Sequence, residues 1–118
     1  MKIAIDARAV TDEASGVGVY TRTLIRGLAR MESGDQYCLL SNRHVHLPAD
    51  LPDHFRILQE PHHVGNFWLQ WQCPGLLRRE GVDIFHGTNF LAPLRSPCPT
   101  VLTVHDLSSL LFPRLHTK

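Results

Sequence analysis

Three short apolar runs in this 118-residue chain each end in a side chain suited to acid–base or hydrogen-bond chemistry. Asp6 closes Lys2–Asp6, His86 closes Val82–His86, and His105, followed by Asp106, closes Thr100–His105. An imidazole can donate or accept a hydrogen bond at neutral pH, and a carboxylate accepts. Taken singly, each residue has a plain structural use, such as a helix cap for Asp106 or a satisfied, partly buried histidine. Four titratable groups gathered at one edge of a sheet are harder to assign to packing alone, and they point to a functional rim. A second feature, Ser15-Gly16-Val17-Gly18, opens a helical stripe. Glycines at that position let a backbone approach closely, and the unpaired N–H groups and dipole of a helix start favour an anion.

The elements that must position these groups follow from apolar spacing. Lys2–Asp6 and Gln36–Leu40 carry continuous apolar runs, the mark of strands covered on both faces. Phe55–Leu58, Val82–His86 and Thr100–His105 are expected as the remaining strands. Between the first two, Val17, Tyr20, Leu24, Ile25, Leu28 and Met31 recur at three and four, predicting an amphipathic helix over Val17–Met31 that stops near Gly34. Arg22, Arg26 and Arg30 occupy its other side as a solvated face. Asn66–Arg79 is expected as a second helix with Phe67, Leu69, Trp71, Leu76 and Leu77 inward, kinked or restarted at Pro74 and capped by Gly81. Ser41–Asp53 and Gly87–Pro99 read as loops, and Ser108–Phe112 as a short helix stopped by Pro113. The order β-α-β-β-α-β-β predicts an α/β, Rossmann-like fold: a parallel sheet with helices on both faces. In such a sheet, ligands bind beyond the carboxyl ends of the strands, where strand order reverses.

Several other chemistries are excluded by spacing. A dinucleotide fingerprint needs G-x-G-x-x-G tight against the first strand. Here nine residues separate Asp6 from Gly16, position 21 is Thr, and no acid closes the second strand. His44-x-His46 and His62-His63 have no carboxylate or Cys at ligand spacing, so no metal site is expected. No nucleophile elbow is present. Trp68 and Trp71 are read as packing residues rather than as a membrane-interface pair.

Composition narrows the class further. Twelve Lys and Arg against eleven Asp and Glu give a net charge of +1, without the basic footprint of a nucleic-acid binder. With 43% apolar residues the chain can build one core, and no apolar run is long enough for a membrane span or signal-peptide core. Three cysteines with no C-x-x-C pair are expected to be free thiols in a reducing cytosol.

In order and spacing, four segments together resemble the N-terminal domain of a bacterial glycosyltransferase of family 4, of GT-B architecture, closest to its mannosyltransferase-like members. They are Ile5-Asp6-Ala7-Arg8, Ser15 to Arg22, Val82 to Pro93, and Thr103-Val104-His105-Asp106-Leu107. The resemblance implies retaining transfer of a sugar from a nucleotide-diphosphate sugar to a glycan or lipid-linked acceptor, without a metal cofactor. It implies that residues 1–118 form an incomplete, acceptor-side domain whose C-terminal nucleotide-sugar domain, with a Glu-x7-Glu motif, is absent. His105 matches the family histidine at the donor sugar, and Gly16 and Gly18 the glycine turn near the diphosphate. His86 and Asn89 match a loop facing the acceptor, and Asp6, Arg8 and Asp106 are neighbours on the rim. A cytoplasmic location is implied, with the Arg face of the first helix available to an anionic membrane surface.

Transfer of this kind builds oxocarbenium character on the sugar and negative charge on the leaving diphosphate. A helix start offers fixed dipoles where that charge develops. Truncation would leave Thr100–Val104 as an unpaired edge, so association through it or through Leu110–Phe112 is expected. The contrasting reading is a stand-alone Rossmann-like binding or interaction module without catalysis, and fold alone does not decide between the two. A reading frame that continues past Lys118 into a Glu-x7-Glu motif would favour the first.

Overall fold

Strands with apolar side chains on both faces need cover on both sides, and the chain supplies it. The computed structural model describes residues 1–60 and 66–115. Its elements are β1 (Lys2–Asp6), α1 (Gly16–Ala29), β2 (Gln36–Ser41), β3 (Phe55–Gln59), a π-helical turn (Trp68–Gln72), α2 (Cys73–Arg79), β4 (Ile84–Gly87), β5 (Thr100–Leu102) and α3 (Ser108–Leu111), then a 3₁₀ turn (Pro113–Leu115). All five strands are parallel, in the order β3-β2-β1-β4-β5. The expected Rossmann-like α/β sheet is therefore present.

The two-residue period of a strand divides the core into two layers. Ala4, Cys38, Leu40 and Phe85 pack with Trp68, Leu69, Leu76 and Leu77 on the α2 side. Ile5, Tyr37, Leu39 and Phe55 pack with Ile25 on the α1 side. Cys38 and Cys73 are buried, Cys98 is partly exposed, and all three are free thiols.

α1 begins one residue before the predicted start and ends two before the predicted stop. Ser15 caps it, its Oγ accepting from the Gly18 N–H at 3.0 Å. Because the chain leaves the helix after Ala29, Met31 is not carried onto the sheet and stays exposed.

The segment after Asn66 departs further from expectation. Trp68 and Leu69 are buried, whereas Phe67 and Trp71, both expected inward, are 56% and 69% exposed. The cause is local. Pro74 has no N–H to donate back along the helix, and the Cys73 N–H instead reaches the carbonyl of Trp68, five residues back. That widened turn shifts the phase of every side chain in it relative to an α-helix. α2 then restarts with Pro74 in its first turn, and Gly81, at φ +65°, follows its end as the cap residue.

The last two strands also shift. β4 runs Ile84–Gly87 rather than Val82–His86, and β5 stops at Leu102 rather than His105. Thr103 N–H donates to the Gly87 carbonyl, and beyond that point β4 has turned away. Val104 and His105 then have no strand to pair with and leave the sheet. β5 lies at the sheet's edge, with Val101 and Leu102 about half-exposed.

The inverted tryptophans give a direct test. Trp68→Ala is expected to cost about 3–5 kcal/mol in urea denaturation. Trp71→Ala is expected to fall within about 0.5 kcal/mol of the parent.

Candidate functional site

From β1 the chain moves outward to β2 and β3, then returns to place β4 and β5 on the opposite side of β1. Strand order therefore reverses between β1 and β4, which is where a parallel sheet offers a crevice. A cavity of about 470 Å³ opens at this point. Asp6 and Arg8 reach it from the end of β1, Arg43 from beyond β2, Thr88 and Asn89 from beyond β4, and Ser15 from the start of α1.

Asp6 is 3% exposed, so its charge must be met inside the protein. Arg8 meets it. Its Nε donates to Oδ1 at 2.9 Å, its Nη2 to Oδ2 at 2.7 Å, and its backbone N–H to Oδ1 at 3.1 Å. The guanidinium also lies over the ring of Trp68, 5.4 Å from its centroid. Burial alone would lower the Arg8 pKa, but hydrogen bonding and charge from Asp6 outweigh it and hold the value above the ordinary one. The same burial, with Asp6 nearby, pushes the Cys73 thiol up to about 12. Thr88 Oγ donates to the Asp6 carbonyl at 2.8 Å and ties the end of β1 to the turn after β4.

A second group lies across that turn. Thr103 Oγ1 is 2.8 Å from His86 Nε2 and 3.0 Å from the Tyr20 hydroxyl. The Tyr20 and His105 rings meet edge to face at 4.9 Å, with Phe90 5.8 Å from His105 on another side. His105 Nε2 lies 2.7 Å from the Thr88 carbonyl. A carbonyl only accepts, so Nε2 must carry the proton, and in the neutral ring Nδ1 is left as an acceptor. Phe90 has φ 58°, a left-handed conformation unusual for a bulky residue, in a tight turn closed by the Leu91 N–H on the Asn89 carbonyl. Gly87 permits this fold-back, because a Cβ there would stand 2.3 Å from the Leu91 carbonyl oxygen.

The sequence-predicted residues thus separate into groups. Asp6, Arg8 and Asn89 line the cavity. His86 and His105 sit in the adjoining cluster, His86 bonded to Thr103 and His105 joined to the cavity wall through Thr88. Gly16 and Gly18 lie in the first turn of α1, where their neighbours Ser15 and Val17 form part of the lining. Gly18 is required by packing, since a Cβ there would meet the Ala9 carbonyl oxygen at 2.6 Å. Its N–H is committed to Ser15 Oγ, so of the two glycines Gly16 is the one whose amide can face an anion. Asp106 is not in the cavity lining; its carboxylate accepts from the Ser108 N–H and hydroxyl, both at 2.7 Å, at the start of α3.

Among the participants that were missed are Arg43, Thr88, Thr103, Tyr20 and Trp68. Arg43 and Thr88 each stand just past a strand end, and the rule that singled out Asp6 and His86 would have found them. His46 contacts Asp12, and His44 neighbours it at 6.4 Å between rings; His62 and His63 lie outside the described residues. Among the described residues no three His, Cys, Asp or Glu side chains gather as metal ligands, and no helix is long and apolar enough to cross a membrane.

Burial holds the His86 pKa below its ordinary value. The unfolded chain therefore takes up this proton first. The contribution of His86 to stability is complete above the ordinary imidazole pKa, about 6.5, and is lost as pH falls below it. His86→Gln is expected to make the urea midpoint fall less than the parent's between about pH 7.5 and pH 5.5. An equal fall in both proteins would remove His86 as the cause.

No curated protein and no solved structure matches the chain. The family model for Glycosyltransferase Family 4 matches residues 14–118, taking in α1, the histidine cluster and all strands but the first, with Asp6 and Arg8 lying before it. A parallel sheet with its cavity at the strand-order reversal, under a match of that extent, places this chain in glycosyltransferase family 4.

Proposed function

We propose that this chain is the acceptor-side domain of a retaining glycosyltransferase that uses a nucleotide-diphosphate sugar, with the nucleotide held by a second domain across the cleft. The observation that carries the reading is the cavity at the reversal point between β1 and β4, in a chain of family 4. A glycan or lipid-linked acceptor would enter it, with Asn89 and Arg8 among its polar walls. His105 stands on the other side of the turn at residues 88–90, held by the Thr88 carbonyl, and its Nδ1 would accept from a donor sugar hydroxyl.

In the reaction, the bond from the anomeric carbon to the diphosphate oxygen breaks and the nucleoside diphosphate leaves with the electron pair. A bond to the acceptor oxygen forms on the same face, and the acceptor hydroxyl gives up its proton to an oxygen of the departing diphosphate. Negative charge develops on the leaving oxygens. The N–H groups of Gly16 and Val17 at the start of α1, which have no partner among the described residues, would offer fixed dipoles to it without reorganisation. Neither step draws on a metal ion in this reading.

Calorimetric titration of the chain tests the assignment of halves. Saccharides are expected to bind in the ~mM range, and nucleotide-diphosphate sugars more weakly, because half a cleft leaves them largely solvated. The chain alone is expected to show no turnover. Nucleotide-sugar binding tighter than about 10 μM, or turnover by the chain alone near 1 s⁻¹, would overturn the reading.

A further inference from the structure

We infer that Arg8 is the specificity-determining donor of the cavity and that its ligand there is an uncharged sugar, recognised through a pair of adjacent hydroxyls. The inference deepens the acceptor-side reading and rests on it. Of the five N–H groups on a guanidinium, Arg8 commits one from Nε and one from Nη2 to the two oxygens of Asp6. Three remain, including both on Nη1, and none has a partner among the described residues. Arg8 lines the cavity, and in this inference its uncommitted edge, a planar donor fork, serves that space. It is also rigid. Asp6 holds one edge, the Trp68 ring supports one face, and the side chain is 14% exposed. A fork fixed in advance loses little freedom on meeting two neighbouring oxygens.

Charge decides which oxygens. The charged residues lining the cavity are two acids, Asp6 and Glu13, and two bases, Arg8 and Arg43, which cancel. Asp6 already neutralises Arg8 at hydrogen-bond distance. Phosphate and carboxylate sites carry excess positive charge, because the ligand's hydration must be replaced. A balanced cavity does not offer that excess, but its fork, with Ser15, Thr88 and Asn89, matches the hydroxyls of a sugar ring.

The test is a titration of the chain with methyl glycosides of glucose, mannose and galactose and with the corresponding 6-phosphates. It is followed by the side-chain NMR signals of Arg8 and Asn89, at about 50 and 500 mM NaCl. A neutral glycoside is expected to shift both signals with a ~mM dissociation constant that changes less than about twofold with salt. The phosphates are expected to bind no tighter. Arg8→Lys keeps the charge and loses the fork, and should weaken glycoside binding at least about tenfold. Because that change also touches Asp6, Glu13→Gln provides a second arm. It leaves the fork in place and makes the cavity net positive, and the phosphates should gain on the neutral glycosides by at least about threefold. Octyl glycosides binding better than methyl glycosides would assign the sugar to a lipid carrier, and equal binding to a soluble glycan; both uphold the inference. Tighter phosphate binding by the parent, a steep salt dependence, or parent-like binding by Arg8→Lys would overturn it while leaving the acceptor-side reading intact. If neither glycosides nor phosphates bind at about 50 mM, that reading fails as well.

Discussion

The rim depends on β1 being paired on both edges. Lys2–Asp6 aligns with Gln36–Leu40 on one side, and Ile3–Ile5 with Ile84–His86 on the other. Because all the pairings are parallel, every strand delivers its carboxyl end to the same side of the sheet. Asp6 sits where the two ladders end, with Leu40 opposite it and the Thr88 hydroxyl on its carbonyl. A carboxylate buried there would be costly without a partner, and Arg8 is two residues away in the turn that β1 runs into. Removing one member of a buried pair of this kind costs about 3–5 kcal/mol, far more than the pair itself contributes over an apolar substitute. The Asp6–Arg8 pair is thus a weak explanation of stability and a better one of geometry. It holds a guanidinium at the mouth of the reversal point in a single orientation.

The sheet was legible because burial on both faces writes continuous apolar runs, and such runs survive small errors in their bounds. The end of a strand is a different matter. Whether β5 stops at Leu102 or continues to His105 depends on where β4 turns away, and that is set at Gly87 by close approach of the Leu91 carbonyl. No periodicity within Thr100–His105 encodes it. The swap of Trp68 for Trp71 has the same character. Apolar spacing assumes 3.6 residues per turn, and Pro74 replaces one of those turns with a wider one.

The site was legible at the level of chain position and not at the level of contact. Residues just past strand ends had to converge, and Asp6, Arg8 and Asn89 do line one cavity. Which of them would be committed to one another could not be read from spacing. Asp106 illustrates the limit. Its type and place in the order matched a functional rim, yet its two oxygens hold the start of α3 through Ser108. Gly18 shows the converse, a residue whose need to be glycine is already met by the close approach of the Ala9 carbonyl.

The histidine cluster carries its own internal logic. Thr103 has one hydroxyl proton and two neighbours, His86 Nε2 and the Tyr20 oxygen. When Nε2 is an acceptor, Thr103 donates to it and Tyr20 donates to Thr103. When Nε2 carries a proton, His86 donates, Thr103 turns to Tyr20, and the phenol hydrogen is released toward whatever lies beyond. Burial favours the uncharged His86 ring. His105 has no such choice at Nε2, because the Thr88 carbonyl can only accept. Two imidazoles attached to opposite ends of the turn at residues 88–90 therefore differ in kind. One has a fixed tautomer with its remaining nitrogen defined as an acceptor, and the other can reverse a short hydrogen-bond chain. The fixed ring presents one defined acceptor, whereas the reversible one suits a structural joint between α1 and the end of β5.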